Sequence, residues 1–181
     1  AFLHCLAAKF NHTMGIVLPP GVVCDVFYLP LHPVISIDSS ISDIHFPANA
    51  SAKDIGYRSV AVALSDIAAM GCQPRGFSVS ITCSNRDKNW FRELANGFED
   101  ISNEFQISLI GGDVTRGPLN INVVVYGTPY NSIYLKRNVA KKGDIICITT
   151  PVGRAKKGLE DFKANNLQSS FVNDYLRPKP Q

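Results

Sequence analysis

The chain has 181 residues, 45% of them hydrophobic and 18% charged, and its formal net charge is only +3. That composition argues against a disordered chain, and the near-balanced charge argues against a dedicated nucleic-acid surface. No apolar run approaches a membrane span, and no basic stretch precedes the apolar residues at the start, so neither a transmembrane segment nor a secretory signal is expected. Cys5, Cys24, Cys72, Cys83 and Cys147 show no paired spacing, which points to buried thiols in a reducing, cytoplasmic compartment rather than to disulfides or zinc. The length allows one domain and part of a second. The chain opens with Ala rather than Met, which leaves room for a missing or processed start.

Pro19-Pro20-Gly21 marks a turn before a strand candidate over Val22–Leu29. A second strand covers Val34–Asp38, and Ser39–Ala50 reads as a polar loop. Ser51-Ala52-Lys53-Asp54 is a capping-box-like start with an acid in place of the usual Glu or Gln. The helix that follows is apolar on most sides, which implies burial against a sheet, and Gly71 is its C-terminal stop. Phe77–Thr82 alternates as a strand. Asp87 opens a second helix through Trp90, Phe91, Leu94, Phe98 and Ile101. Ile107–Ile110 and Leu119–Tyr126 are strands on either side of a Gly-Gly-Asp loop. The pattern loosens over Arg137–Gly143, where a domain boundary is placed, giving units 1–136 and 137–181. Asp144–Thr149 is expected as a further strand, Gly153–Phe162 as a helix, and Leu176–Gln181 as a proline-rich turn. The order of elements indicates a mixed α/β fold.

Three acids stand in apolar settings. Asp38 closes Val34-Ile35-Ser36-Ile37, Asp66 lies inside Val60–Met70, and Asp113 follows Ile110-Gly111-Gly112. Carboxylates held by separate apolar segments point to a divalent-metal and phosphate site, because hard cations take oxygen ligands. Each acid also has a plainer reading. Asp113 could cap its own turn, Asp66 could face solvent, and Asp38 could merely end a strand. Asp43 and Asp54 read as loop and cap residues, and the cysteines, Trp90 and Phe91 as core.

Several segments together resemble the thiamine-monophosphate kinase family. Ile55–Pro74 looks like its long helix signature, and Leu109–Pro118 like its Gly-Gly-Asp segment. Asp38–Phe46 resembles its strand-end segment with the His-Phe pair, and Arg137–Asp144 the start of its second domain. The resemblance runs in order over roughly residues 21 to 162. Aminoimidazole-ribonucleotide synthetase, selenophosphate synthetase and a hydrogenase maturation protein belong to the same superfamily. His45-Phe46 and the Ile-Gly-Gly-Asp-x-Thr-Arg-Gly-Pro string favour the thiamine kinase among them.

The resemblance implies an N-terminal ATP-binding domain that pairs with a second copy through its sheet, forming a homodimer, followed by the start of another α/β domain. It implies that Asp25, Ser36, Asp38, Asp66 and Asp113 surround magnesium. Gly112, Asp113 and Arg137 would contact ATP, and His45 would contact thiamine monophosphate. The reaction implied is direct transfer of the ATP γ-phosphoryl group to thiamine monophosphate. It needs no catalytic side-chain acid or base, since the acceptor phosphate is already an anion. Nucleic acid and membrane are not among the expected partners.

Departures from the pattern matter. A Gly-x-Gly-Asp-Asp segment of the family is matched by Gly21-Val22-Val23-Cys24-Asp25, which puts a thiol where an acid is usual. Val139 stands where Gly is usual, and Arg154 replaces a common acid. The family is longer, and Leu176–Pro180 resembles one of its mid-chain turns. Two rival readings therefore stay open. One is a truncated or degraded homologue that only binds Mg-ATP or dimerises, and the other is a sister synthetase with a different acceptor.

Overall fold

A computed structural model describes residues 33–84, 87–131 and 133–181. In chain order it contains β1 (Val34–Ile41), α1 (Ala52–Ala69), β2 (Cys72–Thr82), α2 (Lys88–Phe105), β3 (Ser108–Thr115), β4 (Asn120–Pro129), α3 (Arg154–Lys163) and α4 (Ser170–Leu176). The strands form one sheet in the order β1-β4-β2-β3. The pair β2–β3 is parallel and connected through α2, while β4 runs antiparallel to both its neighbours.

Alternation decides which face is covered. Phe77, Val79 and Ile81 of β2 and Ile121, Val123 and Val125 of β4 are buried on the face that meets the helices. Ile35 and Ile37 of β1 point the other way and are 53% and 66% exposed. Helix α1 covers the sheet, burying Val60, Ala61, Ala63, Leu64 and Ile67. It starts as expected, with the Ser51 hydroxyl accepting from the Asp54 N–H at 3.0 Å. It stops at Met70, followed by Gly71 in the left-handed region at φ 63°.

Helix α2 lies on α1, and its Leu94, Phe98 and Ile101 are fully buried, each contributing roughly 1.5–3 kcal/mol of hydrophobic burial. The two helix backbones nearly touch at a pair of glycines. A Cβ on Gly97 would stand 2.0 Å from the Lys53 carbonyl oxygen, and one on Gly56 would stand 2.5 Å from the Leu94 carbonyl oxygen.

Beyond the sheet, α3 and α4 form a helical hairpin that packs back on α1. Arg177 bridges Asp54 at 3.1 Å and Asp100 at 2.5 Å, and its guanidinium lies 4.6 Å from the Tyr57 ring centroid.

Several sequence expectations need correction. Asp38 sits inside β1, because the strand continues to Ile41 in register with Asn120. The Gly-Gly-Asp segment is strand rather than loop. Gly111, Gly112 and Asp113 pair in parallel with Ser78, Val79 and Ser80, after an irregularity between Phe77 and Ser78 that takes up the extra residue. Strand β2 begins at Cys72, with Pro74 tolerated where the register to β4 slips and β3 has not yet begun to pair. Residues 144–149 form no strand. Ile145, Ile146 and Ile148 are 88%, 95% and 68% exposed, and no neighbouring strand among the described residues supplies ladder partners. Helix α4 was not expected at all. The strand candidate Val22–Leu29, with Cys24 and Asp25, lies outside the described residues, as does Cys5.

Candidate functional site

Ser36 and Asp38 point from β1 toward α1, since they alternate with the exposed Ile35 and Ile37. Asp66 sits in the last turn of α1 and meets them there. The Ser36 hydroxyl donates to Asp66 Oδ2 at 2.5 Å, which locks the helix end to the edge strand. Partial burial raises the pKa of the Asp38 carboxyl above its ordinary range, and the neighbouring Asp66 carboxylate raises it further. His45 pulls the other way.

This corner is electrostatically unfavourable as it stands. Two carboxylates lie close together beside a helix C-terminus, the negative end of the helix dipole. The last turn of α1 holds no basic residue, and no Lys or Arg among the described residues forms an ion pair with either acid. A purely structural site would gain by losing one of the two acids. Two carboxylates in a half-buried corner form an arrangement that a bound cation could relieve.

His45 follows in the turn that ends β1. The Ile41 N–H donates to its Nδ1 at 3.1 Å, so Nδ1 is the unprotonated nitrogen and Nε2 carries the proton. The residue is exposed, leaving that N–H free to donate to an anion.

The remaining expected residues lie elsewhere. Gly112 shares a row of the sheet with Asp38, through Val79 and Val123, but at the opposite edge. Three strand spacings separate the two edges, roughly 14 Å. The lack of a side chain at Gly112 serves strand pairing, since a Cβ there would meet the Val79 carbonyl oxygen at 2.3 Å. Asp113 is one residue further along and therefore points to the other face. It shares that face with Ser80, Asn122 and Ser39, and the Ser39 hydroxyl donates to Asn122 Oδ1 at 2.6 Å. Within one chain Asp113 is thus separated from Asp38 and Asp66 by the sheet itself. Arg137 is exposed in the irregular segment after β4, and Asp25 lies outside the described residues. Among the described residues no three His, Cys, Asp or Glu side chains converge as a metal cluster.

Two contacts to this corner were not read from the sequence. Tyr175 of α4 donates its hydroxyl to the His45 carbonyl at 2.9 Å, and Arg58 of α1 lies over the Tyr175 ring at 4.2 Å. They join residues that lie 130 and 117 positions apart in the chain, Tyr175 with His45 and Arg58 with Tyr175, so no local spacing signals them.

The family model for AIR synthase related protein, N-terminal domain, matches residues 24–128. Among curated relatives, the chain is 37% identical over 153 residues to the thiamine-monophosphate kinase of Buchnera aphidicola subsp. Acyrthosiphon pisum, covering 81% of this chain and 47% of that protein. It is 34% identical over 154 residues to that of Escherichia coli K12, again covering 81% and 47%. Among solved structures, the thiamine-monophosphate kinase of Stenotrophomonas maltophilia K279a superposes with a TM-score of 0.77 at 32% identity, covering 83% of this chain and 51% of that one. The chain spans about half the length of the curated relatives it matches. With its sheet, its two covering helices and this match, the chain belongs to the AIR synthase related family and carries that family's N-terminal domain.

Proposed function

We propose that this chain is the nucleotide-binding part of a thiamine-monophosphate kinase, which transfers the γ-phosphoryl group of ATP to thiamine monophosphate and makes thiamine diphosphate. The observation that carries the reading is the Asp38–Asp66 pair, tied by Ser36 and placed at a helix C-terminus with no Lys or Arg ion pair among the described residues. The similarity to kinases of that name at 34–37% identity supplies the substrate class.

The donor set fits magnesium in kind, since carboxylates and a hydroxyl are hard oxygen ligands. Asp38, Asp66 and Ser36 would hold the ion, with Asp25 as a further ligand. When bound, the ion offsets the negative charge of the reacting phosphates. The chain's own residues do the rest. Ser36 fixes the orientation of Asp66, and the His45 Nε2–H is free to donate to the acceptor phosphate. The phosphate oxygen that attacks needs no base.

Asp113 lies on the face of the sheet opposite the described helices. That face carries the exposed Ile35 and Ile37 and is the one through which a homodimer would pair. Asp113 then acts where two copies meet, rather than beside Asp38 of its own chain. The setting inferred is the cytoplasm, in keeping with the free thiols of Cys72, Cys83 and Cys147. The second domain is placed from residue 137 onward.

A non-catalytic reading has one observation behind it: among the described residues, a single chain brings together two of the acids, not three. Incubation with Mg-ATP and thiamine monophosphate separates the two readings. Formation of thiamine diphosphate supports the kinase. Magnesium-dependent ATP binding without product supports the binding-only protein.

A further inference from the structure

The turn after β1 is tightly specified. Asp43 takes a left-handed φ of 61°, and its N–H donates to the Phe46 carbonyl at 2.8 Å. The His45 N–H donates back to the Ile41 carbonyl at 2.9 Å, the Ala48 N–H donates to Asp43 Oδ1 at 3.0 Å, and the Phe46 side chain is buried. These bonds close the turn on itself and leave the His45 carbonyl pointing away from it. That carbonyl takes its hydrogen bond from the Tyr175 hydroxyl at 2.9 Å.

Tyr175 is itself held on both sides. It is 6% exposed, its ring lies 4.2 Å beneath the Arg58 guanidinium, and Arg58 Nη1 donates to its backbone carbonyl. Two residues on, Arg177 is clamped between Asp54 and Asp100. The hairpin that carries Tyr175 therefore cannot shift against α1 and α2 without breaking a cation–π contact and two ion pairs.

We propose that Tyr175 is a positioning residue for His45: its hydroxyl couples the placement of the α3–α4 hairpin to the turn that aims the His45 imidazole beside the Asp38–Asp66 pair. The imidazole is fixed at one nitrogen by the Ile41 N–H, and its backbone is fixed by Tyr175. Its outward Nε2–H is then set by two bonds from two different parts of the chain. The consequence for the acceptor phosphate rests on the kinase reading above; the positioning itself does not.

The test is Tyr175→Phe in the full chain, which keeps the ring beneath Arg58 and removes only the hydroxyl. Amide hydrogen exchange at Asp43 and His45 should quicken about five- to tenfold, as expected for losing one bond that holds the turn closed. Nitrogen NMR should show the His45 tautomer fixed in the parent and averaged in the variant. If the chain makes thiamine diphosphate, KM for thiamine monophosphate should rise several-fold, with kcat and the KM for ATP unchanged. Lys179→Ala, which removes only the distal pair with Glu104, should leave all of these readings alone. Unchanged exchange at residues 41–46 in Tyr175→Phe overturns the proposal, as does a uniform increase across α1. A chain that makes no thiamine diphosphate overturns the kinase reading, while exchange and tautomer still decide the role of Tyr175.

Discussion

Gly97→Ala separates local propensity from packing, because the two predict opposite signs. In an isolated helix, Ala is favoured over Gly by about 1 kcal/mol. Here the new methyl would stand 2.0 Å from the Lys53 carbonyl oxygen, 2.8 Å from the Tyr57 nitrogen and 3.0 Å from the Lys53 carbonyl carbon. All three are backbone atoms of α1, so no rotamer change relieves the clash and the helices must part. Parting them loosens a core that includes Leu94, Phe98, Ile101 and Tyr57. Overpacking of this kind costs about 1–3 kcal/mol and more where backbone must move; with a cost of about 2–4 kcal/mol here, the net loss is about 1–3 kcal/mol after the propensity gain of about 1 kcal/mol. At roughly 2–4 °C per kcal/mol for a chain of this size, the melting temperature should fall by about 2–12 °C. Thermal unfolding followed by circular dichroism reads this directly. A melting temperature equal to or above the parent's would refute the close helix contact.

Three further outcomes follow from the same geometry. Arg177→Ala removes its bonds to Asp54 and Asp100 and its contact with Tyr57, and should lower stability at pH 7 by about 1–2 kcal/mol in urea unfolding. Burial alone would raise the Asp100 pKa, but hydrogen bonds from Arg177 and Lys53 outweigh it and hold it below its ordinary value. That stability is present above pH 3.8 and lost as the pH falls through the depressed value, so the gap between parent and variant should narrow in acid. Asp38→Asn should raise the melting temperature of the metal-free protein at pH 7. The raised pKa of Asp38 means that its ionisation costs stability as the pH climbs, and Asn does not ionise; a lower melting temperature would contradict the like-charge reading. Mixing Asp38→Asn with Asp113→Asn chains should restore up to about a quarter of the parent's thiamine diphosphate formation, provided subunits exchange freely and Asp113 serves the partner's site. No recovery would place both acids in one chain's site.

The helices were legible because their signals are local. Ser51 and Asp54 announce the start of α1 and Gly71 its stop, while the spacing of Leu94, Phe98 and Ile101 marks the buried stripe of α2. Strand ends were less so. Asp38 and Asp113 look like residues that finish strands, yet both lie within them, because pairing with β4 and β2 carries a strand past its apolar run. The alternating Ile146 and Ile148 suggested a strand that has no partner among the described residues. The Asp38–Asp66 neighbourhood was readable as two acids in apolar segments. The face of Asp113 was not, because it depends on the one-residue irregularity beside Phe77, which no composition reveals. Tyr175 and Arg177 were invisible for a related reason: their partners lie in α1, α2 and the turn after β1.

Calorimetric titration of ATP, with and without magnesium, into the parent and into Asp66→Asn tests the cation corner most directly. The account predicts binding to the parent only when magnesium is present, and at least tenfold weaker binding to the variant. Equal affinity in the two proteins, or nucleotide binding indifferent to magnesium, would contradict it.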